Sequence, residues 1–194
     1  MFKSGKFTSR YVTRQDESEV DDNRVQPHGV DLTVDKIFKV KGYSVLTDGE
    51  YAKAKRKEAE STSPESGIID PSDPHSNLDS YSNLDPDSSD EVDTVDIDNE
   101  VYTLMAGPYI VRYNEILSVP EGHIGFVWPR SRLIRNNLFL SSAVWDSGYK
   151  GRGEGGLHVN TMTFMEKDMG IGQFVLARAN TLNQYDGSHN GENL

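Results

Sequence analysis

The chain contains no cysteine among its 194 residues. Disulfide bonds, zinc sites built from thiolates and a cysteine nucleophile are therefore excluded. No stretch approaches the roughly 18 apolar residues of a membrane span, and the amino-terminal sequence MFKSGKFTSRYV lacks the apolar run of a signal peptide. From these absences we expect a soluble, cytoplasmic protein that does not bind membranes.

Basic residues are missing from one long segment. Residues 58–100 contain 14 aspartates and glutamates but no lysine or arginine. The formal net charge of −11 is therefore local, because the remaining residues carry a net charge of +3. The segment is rich in Ser, Asp and Pro and cannot bury enough apolar surface to offset the entropy of ordering it. We predict a single domain over residues 1–194, interrupted by a largely disordered acidic insertion at about residues 48–99, with a short charged helix at 51–60.

Apolar residues outside this insertion follow the spacing of β-strands. In GVDLTVDKIFKV, residues 29–40, apolar and polar side chains alternate with one change of phase. Residues 101–131 predict three short strands separated by Gly-Pro and Pro-Glu-Gly turns, and three further strand-like stretches follow. RSRLIRNN, residues 130–137, predicts a short helix. Short strands at this spacing indicate an all-β fold, a barrel or jelly roll with one or two short helices.

Two stretches place polar groups where a strand begins or ends. Gly29 and Asp31 put a carboxylate at the start of a strand, where it suits a divalent cation or the waters of that cation. Arg130 and Ser131 follow a strand that ends at a proline, and Arg135 lies one helical turn further on. Guanidinium groups and a hydroxyl at such a junction suit phosphate oxygens. Taken alone, these residues equally fit a turn aspartate and a solvated basic surface.

Two further stretches carry candidate functional residues. In SSAVWDSGYKGRGEGGL, Asp146 ends an apolar run, Tyr149 follows three residues later, and five glycines lie within nine positions. Bare backbone of this kind permits a close approach by a partner, although a simple glycine-rich hairpin would look the same. In GIGQFVLA, Gln173 interrupts an otherwise apolar strand, and an inward amide needs hydrogen-bond partners, whether structural or from a ligand.

Together these motifs resemble those of a known family. The second motif of trimeric dUTPases is matched by Pro120, Gly122, Gly125, Val127, Pro129, Arg130 and Ser131. Their third motif is matched by Ala143, Val144, Trp145, Asp146, Tyr149 and Gly151. QPHGVDL, Arg135 and the carboxyl-terminal YDGSHNGENL are closer to the related dCTP deaminases, which include bifunctional deaminase–dUTPases. The resemblance covers about residues 20–46 and 100–194 and implies a distorted jelly-roll β-barrel of the dUTPase-like type.

The resemblance is compatible with two reactions, deamination of dCTP and hydrolysis of dUTP. The spacing of acidic residues favours hydrolysis. Deaminases of this family carry a glutamate ten residues after the aspartate of the third motif, whereas that position is Gly156 here. The nearest acid, Glu154, is two residues early, which displaces it by roughly 6 to 7 Å along a strand. Proton transfer does not tolerate that displacement. We therefore expect dUTP hydrolysis; the alternatives are a bifunctional enzyme that uses Glu154 and a noncatalytic dUTP-binding homologue that regulates a partner.

The family resemblance assigns roles to the hairpin residues. Asp146 would be the general base that activates water for attack on the α-phosphorus of dUTP, and it would accept a bond from the 3′-hydroxyl. Tyr149 would pack on the deoxyribose and exclude a 2′-hydroxyl, while the glycine-rich backbone reads uracil. The products would be dUMP, a precursor of dTMP, and pyrophosphate, and the reaction would limit uracil in DNA.

The same resemblance implies the remaining ligand contacts. Arg130, Ser131 and Gln173 would hold the phosphates, and Arg135 would contact the nucleotide. Mg²⁺ would bridge the phosphates, with Asp31 holding its waters.

The resemblance also implies a lid and an assembly. Residues 185–194 would form a lid that contacts the substrate through Tyr185 and Asn190. Family members are homotrimers, so Arg130 and Asp146 would serve one active site from different chains. No direct contact with nucleic acid is expected.

Overall fold

The computed structural model describes residues 1–41, 55–62 and 100–194, together with four two-residue strands between them. Most of the predicted acidic insertion, and with it the prediction of disorder, lies outside the described residues. No helix in the described part is long and apolar enough to cross a membrane.

Strands dominate the described chain. They are β1 (Val12–Thr13), β2 (Val25–Gln26), β3 (Gly29–Lys41), β4 (Val45–Leu46), β5 (Tyr51–Ala52), β6 (Lys55–Glu58), β7 (Ser61–Thr62), β8 (Ile68–Ile69), β9 (Val95–Asp96), β10 (Val101–Leu104), β11 (Gly107–Tyr113), β12 (Ile116–Ser118), β13 (His123–Pro129), β14 (Leu138–Ser141), β15 (Lys150–Gly151), β16 (Glu154–Val159), β17 (Thr163–Glu166) and β18 (Gly170–Arg178). The helices are short: α1 (Gly5–Thr8), α2 (Ser131–Arg135) and two 3₁₀ turns (Ser9–Tyr11 and Asp22–Arg24).

The long strand β3 organises the fold. Its first half pairs with β18 and its second half with β11, in a sheet of order β13-β18-β3-β11-β16-β14 to which β2 and β6 also pair through β3. The end strands β13 and β14 contact each other, so this sheet nearly closes into a barrel. Gly29 to Val34 are all buried, whereas burial along the second half of β3 is intermittent. The all-β barrel predicted from strand spacing is confirmed.

One contiguous apolar core fills this barrel. Its largest fully buried side chains include Tyr113 from β11 and Phe174 from β18. Gly125 on β13 lets the Phe174 ring approach, because a Cβ there would lie 2.7 Å from Phe174 Cε2. The core thus fixes β13 and β18 side by side, and both strands carry predicted site residues.

Two details of the sequence prediction are wrong. Residues 55–58 form strand β6 instead of a helix, because they pair with the outer half of β3, where Arg56 lies over the ring of Phe38. Residues 101–131 hold four strands instead of three, because a turn at Asn114 and Glu115 separates β11 from β12. The predicted helix near residue 131 is confirmed as α2.

Candidate active site

The first group of predicted residues lies where β3, β13 and β18 run side by side. Asp31 on β3 is opposite Gln173 on β18, and Gln173 is opposite Trp128 on β13. Asp31 is almost fully buried and forms an ion pair with Arg130, and Gln26 donates a hydrogen bond of 3.0 Å to the same carboxylate oxygen. We call Gln26, Asp31, Arg130 and Gln173 the Asp31 cluster.

Burial and the neighbouring positive charge have opposite effects on the pKa of Asp31. Burial raises the pKa of this carboxyl, while the nearby guanidinium of Arg130 and the hydrogen bond from Gln26 work to lower it. The backbone of Arg130 is held in place by β18, because its N–H donates a hydrogen bond of 2.9 Å to the carbonyl of Ile171. The ion pair therefore holds the arginine at the junction of β13 and α2.

Ser131 and Arg135 lie on α2, next to this cluster in sequence, and both are exposed. The structure therefore brings Asp31, Arg130 and Gln173 together, with the two α2 residues at the surface beside Arg130. Strand pairing explains this grouping, since residues far apart in sequence become neighbours across β3, β18 and β13.

The second group lies on the hairpin that joins β14 to β16. Trp145 bridges to Gly125 of β13 through two backbone hydrogen bonds of 2.8 and 3.0 Å, which anchors the hairpin to the barrel. Asp146 follows and is exposed, and its backbone carbonyl accepts the N–H of Tyr149 at 3.1 Å. Gly148 occupies the turn with φ of 89°, a conformation that favours glycine.

Tyr149 is buried, with 4% of its surface exposed. Its ring packs edge-to-face on Trp145, with ring centroids 4.9 Å apart, and lies 6.1 Å from the ring of Tyr185. Burial raises the pKa of the Tyr149 phenol, and the neighbouring carboxylate of Glu192 adds to this rise. The phenol is therefore a neutral hydrogen-bond donor at physiological pH.

The hairpin glycines allow close packing inside the chain. A Cβ on Gly153 would lie 1.8 Å from Cη2 of Trp145, and one on Gly155 would lie 2.4 Å from the hydroxyl of Tyr113. The close approach predicted from these glycines is thus made by side chains of the protein itself. Their predicted contact with uracil stays a prediction.

The carboxyl-terminal tail folds back over this hairpin. Backbone N–H groups of Tyr185, Gly191 and Arg152 donate to carbonyls of Ser147, Lys150 and Glu192, at 2.6, 2.7 and 3.0 Å respectively. The side chain of Asn190 accepts the N–H of Lys150 at 3.0 Å, and the hydroxyl of Tyr149 donates to Glu192 Oε1 at 2.9 Å. Two predicted lid residues, Tyr185 and Asn190, therefore contact the hairpin of their own chain.

Sequence reasoning missed Glu192. An acid in a short polar tail carries no recognisable pattern. The only available sign was that Tyr149, a buried phenol, needs an acceptor.

The two groups lie at different places along β13. Trp145 pairs with Gly125, which is five residues before Arg130 on an extended strand, and such a stretch spans about 16 Å. Within the described residues no hydrogen bond joins the Asp31 cluster to the hairpin.

The position at which the resemblance would place a deaminating acid is Gly156. Gly156 lies in β16 opposite Ile110 of β11. The nearby acid, Glu154, is held by two guanidinium groups: Arg56 Nη1 lies 2.6 Å from its Oε2, and Arg112 Nη2 lies 3.2 Å from its Oε1. Both carboxylate oxygens of Glu154 are thus engaged by cations.

Asp31 is the residue predicted to hold a water of Mg²⁺. The described residues contain no group of three or more His, Asp or Glu side chains that could bind a metal ion. Both polar contacts of the Asp31 carboxylate fall on Oδ2, from Gln26 and Arg130, so Oδ1 keeps its capacity to accept a hydrogen bond. A single carboxylate oxygen of this kind fits a role in holding a water of Mg²⁺, which keeps several waters when it binds proteins.

Known proteins resemble this chain over most of its length. A probable deoxyuridine 5′-triphosphate nucleotidohydrolase of Halobacterium salinarum is 34% identical over 193 residues, which are 99% of this chain and 95% of that protein. The deoxyuridine 5′-triphosphate nucleotidohydrolase of Methanocaldococcus jannaschii is 29% identical over 173 residues, which are 89% of this chain and 90% of that protein.

One solved structure shares the fold of this chain. The 2′-deoxycytidine 5′-triphosphate deaminase of Agrobacterium tumefaciens superimposes with a TM-score of 0.55 at 15% identity, over 94% of this chain and 49% of the deaminase. The chain therefore spans about half the length of that deaminase, and the likeness concerns the fold alone. The family model described as dCTP deaminase-like matches residues 3–179, and the chain belongs to this dCTP deaminase-like family.

Proposed function

We propose that the protein hydrolyses dUTP to dUMP and pyrophosphate. The observation that carries this proposal is that neither of the two positions where a deaminating acid would lie offers a free carboxylate. Gly156 has no side chain, and Glu154 is bound by Arg56 and Arg112. Asp146 is then the exposed carboxylate of the motif. The similarity of the whole chain to a probable dUTP nucleotidohydrolase supports the same activity.

Asp146 is the proposed general base. It is exposed, and within the described residues its carboxylate accepts no hydrogen bond, so it can orient and deprotonate a water. The water attacks the α-phosphorus, and pyrophosphate leaves. Phosphoryl transfer needs little covalent chemistry from the protein, because positioning and charge neutralisation lower most of the barrier.

The Asp31 cluster is the proposed binding site for the phosphates. Arg130 uses one nitrogen, Nη1, for Asp31, and a guanidinium group has further N–H donors for phosphate oxygens. Ser131, Arg135 and Gln173 provide additional donors in the same region. Mg²⁺, when bound with a water held by Asp31, would neutralise charge on the phosphates.

Tyr149 is the proposed platform for the deoxyribose. Because Tyr149 is buried beneath the tail, contact with a sugar requires the tail to move away from the hairpin. Tyr185 and Asn190 would then close over the bound nucleotide. A 2′-hydroxyl would clash with the ring, and this would exclude ribonucleotides.

The proposed active form is a homotrimer in the cytoplasm. Separation of Asp146 from Arg130 along β13 supports a site to which different chains contribute these two residues.

The test is a product assay with dUTP and dCTP in parallel, in the presence of Mg²⁺. Asp146→Asn is expected to lower kcat for dUTP by about 100-fold or more, since a positioned general base contributes 10²–10⁴-fold. Glu121→Gln, which neutralises an exposed acid in a turn packed beside the hairpin, is the matched control and should keep activity. Full activity in Asp146→Asn, or conversion of dCTP by the wild type, would contradict the proposal.

A further inference from the structure

Arg24 is a half-buried cation to which the proposed hydrolysis of dUTP assigns no role. It ends the 3₁₀ turn Asp22–Arg24, just before β2. Among the described residues its side chain makes one hydrogen bond, from Nη2 to the carbonyl of Asp168 at 3.5 Å, the long limit for such a bond. Within the described residues Arg24 forms no salt bridge, although a half-buried guanidinium normally pairs with an acid.

Gly170 separates Arg24 from Arg130. A Cβ placed on Gly170 would lie 3.0 Å from Arg24 Nη1 and 3.3 Å from Arg130 Nη1. The two Nη1 nitrogens are therefore no more than about 6 Å apart. A side chain at position 170 would enter the space between the two guanidinium groups, so the glycine leaves that space open.

The guanidinium groups of Arg24, Arg130 and Arg132 all lie near the buried carboxylate of Asp31. One buried carboxylate thus faces three guanidinium groups, and its Oδ2 already pairs with Arg130. Two arginines this close repel each other, and a bound anion that contacts both would relieve this repulsion.

We propose that Arg24 and Arg130 form a two-arginine clamp for the pyrophosphate part of a nucleotide, with Gly170 providing the space between them. The inference rests on the proposed function in so far as that function assigns Arg130 to phosphate. Guanidinium groups bind phosphate oxygens through paired N–H donors, and a chain of phosphates can engage both forks at once. A monophosphate engages only one fork, so the clamp favours dUTP over its product dUMP.

A purely structural role makes a different prediction. Arg24 also borders a cavity of about 460 Å³ whose acidic lining includes Glu115 and Asp168, and there it would balance negative charge. In that role its loss would lower stability and leave nucleotide affinity unchanged.

The test compares Arg24→Gln with Arg14→Gln. Arg14 borders the same cavity but is half-exposed and pairs with Asp21, so its substitution controls for the loss of one cation. Arg24→Gln is expected to raise KM for dUTP and Ki for inorganic pyrophosphate about tenfold, with kcat changed less, because a charged hydrogen bond is lost. The Ki for deoxyuridine should not change. Arg24→Lys should give an intermediate effect, since it keeps the charge and loses the fork.

Calorimetric titration of pyrophosphate separates this inference from the proposed function. Pyrophosphate binding that is lost in Arg24→Gln, in a protein that does not hydrolyse dUTP, would uphold the clamp and refute the hydrolase. Hydrolysis of dUTP with the same KM and pyrophosphate Ki in Arg24→Gln and the wild type would overturn the clamp. Absence of pyrophosphate binding to the wild type would overturn it as well. If Arg24→Gln does not fold, Gly170→Ala provides a second test, because its Cβ would occupy the space between the two guanidinium groups, 3.0 and 3.3 Å from their Nη1 atoms.

Discussion

The hydroxyl of Tyr149 donates a hydrogen bond of 2.9 Å to Oε1 of Glu192, which ties the end of the chain to the hairpin that carries Asp146. The bond crosses 43 residues of sequence and joins a buried phenol to an acid in the tail. Because one partner is charged, its loss is worth about 1.5–3 kcal/mol where it is well shielded from water. The tail is therefore fastened at the place where substrate contact is proposed.

Removing the acid should release the tail. Glu192→Ala is expected to increase amide hydrogen exchange over residues 185–194 and at Lys150 and Arg152, whose N–H groups bond to the tail. Glu192→Gln keeps an acceptor oxygen and should behave like the wild type. Equal exchange in Glu192→Ala and the wild type would mean that the backbone bonds alone hold the tail.

Glu154 should be structural. Glu154→Gln is expected to keep dUTP turnover within about twofold and to lower the free energy of unfolding by about 1 kcal/mol, because its partners Arg56 and Arg112 are partly exposed and solvent screens the pair. Urea unfolding and a dUTP assay measure these effects. Glu58→Gln, which breaks a more exposed pair with Lys36, should change stability less. Deamination of dCTP that disappears in Glu154→Gln would assign Glu154 a catalytic role.

Gly153 should not tolerate a side chain. Its Cβ would lie 1.8 Å from the Trp145 ring, which is buried and packed on Tyr149, so Gly153→Ala should destabilise the protein by about 2–3 kcal/mol or more. Gly156→Ala is the matched control, because its Cβ meets only the movable hydroxyl of Ser141 and should cost less than about 1 kcal/mol. The urea midpoints of the two variants should differ clearly. Similar midpoints would show that Trp145 can shift.

Part of the site was predictable because strands bring distant motifs together. The alternation that starts at Gly29 and the proline that ends β13 place Asp31 and Arg130 at strand ends, and barrel closure makes those ends neighbours. The ion pair between them was not predictable, since it joins residues 99 positions apart and depends on which strands pair.

Other parts could not be read from local sequence. Lys55–Glu58 has no apolar alternation and forms a strand only because the outer half of β3 accepts it as a partner. Arg24 and Gly170 lie 146 residues apart, and neither belongs to a recognisable motif. Their relationship follows from tertiary structure alone.

Glu115 offers a prediction about pH. Its buried carboxylate accepts the backbone N–H of Thr33 at 2.9 Å and the hydroxyl of Thr33 at 2.7 Å. Burial raises the pKa of Glu115 above its usual value of 4.5, and the bonds from Thr33 only partly oppose this rise. The native state therefore holds this proton more tightly than the unfolded state does.

The sign of the effect follows from proton linkage. The stabilisation of the native state by this proton is fully present below pH 4.5, and it is lost as the pH rises through the native pKa of Glu115. Glu115→Gln cannot ionise, and its amide oxygen can still accept the N–H of Thr33. The free energy of unfolding of the wild type, measured relative to that of Glu115→Gln, should therefore decrease as the pH increases from about 4 to about 7. Urea unfolding of both proteins across that range measures the difference.

The exposed acid Glu121 supplies the control for this measurement. Glu121→Gln also neutralises one acid, but an exposed one, and is therefore measured alongside as the control for the loss of a single charge. A difference between the wild type and Glu115→Gln that grows in favour of the wild type with rising pH would reverse the conclusion. It would mean that the two bonds from Thr33 stabilise the charged carboxylate more than burial destabilises it.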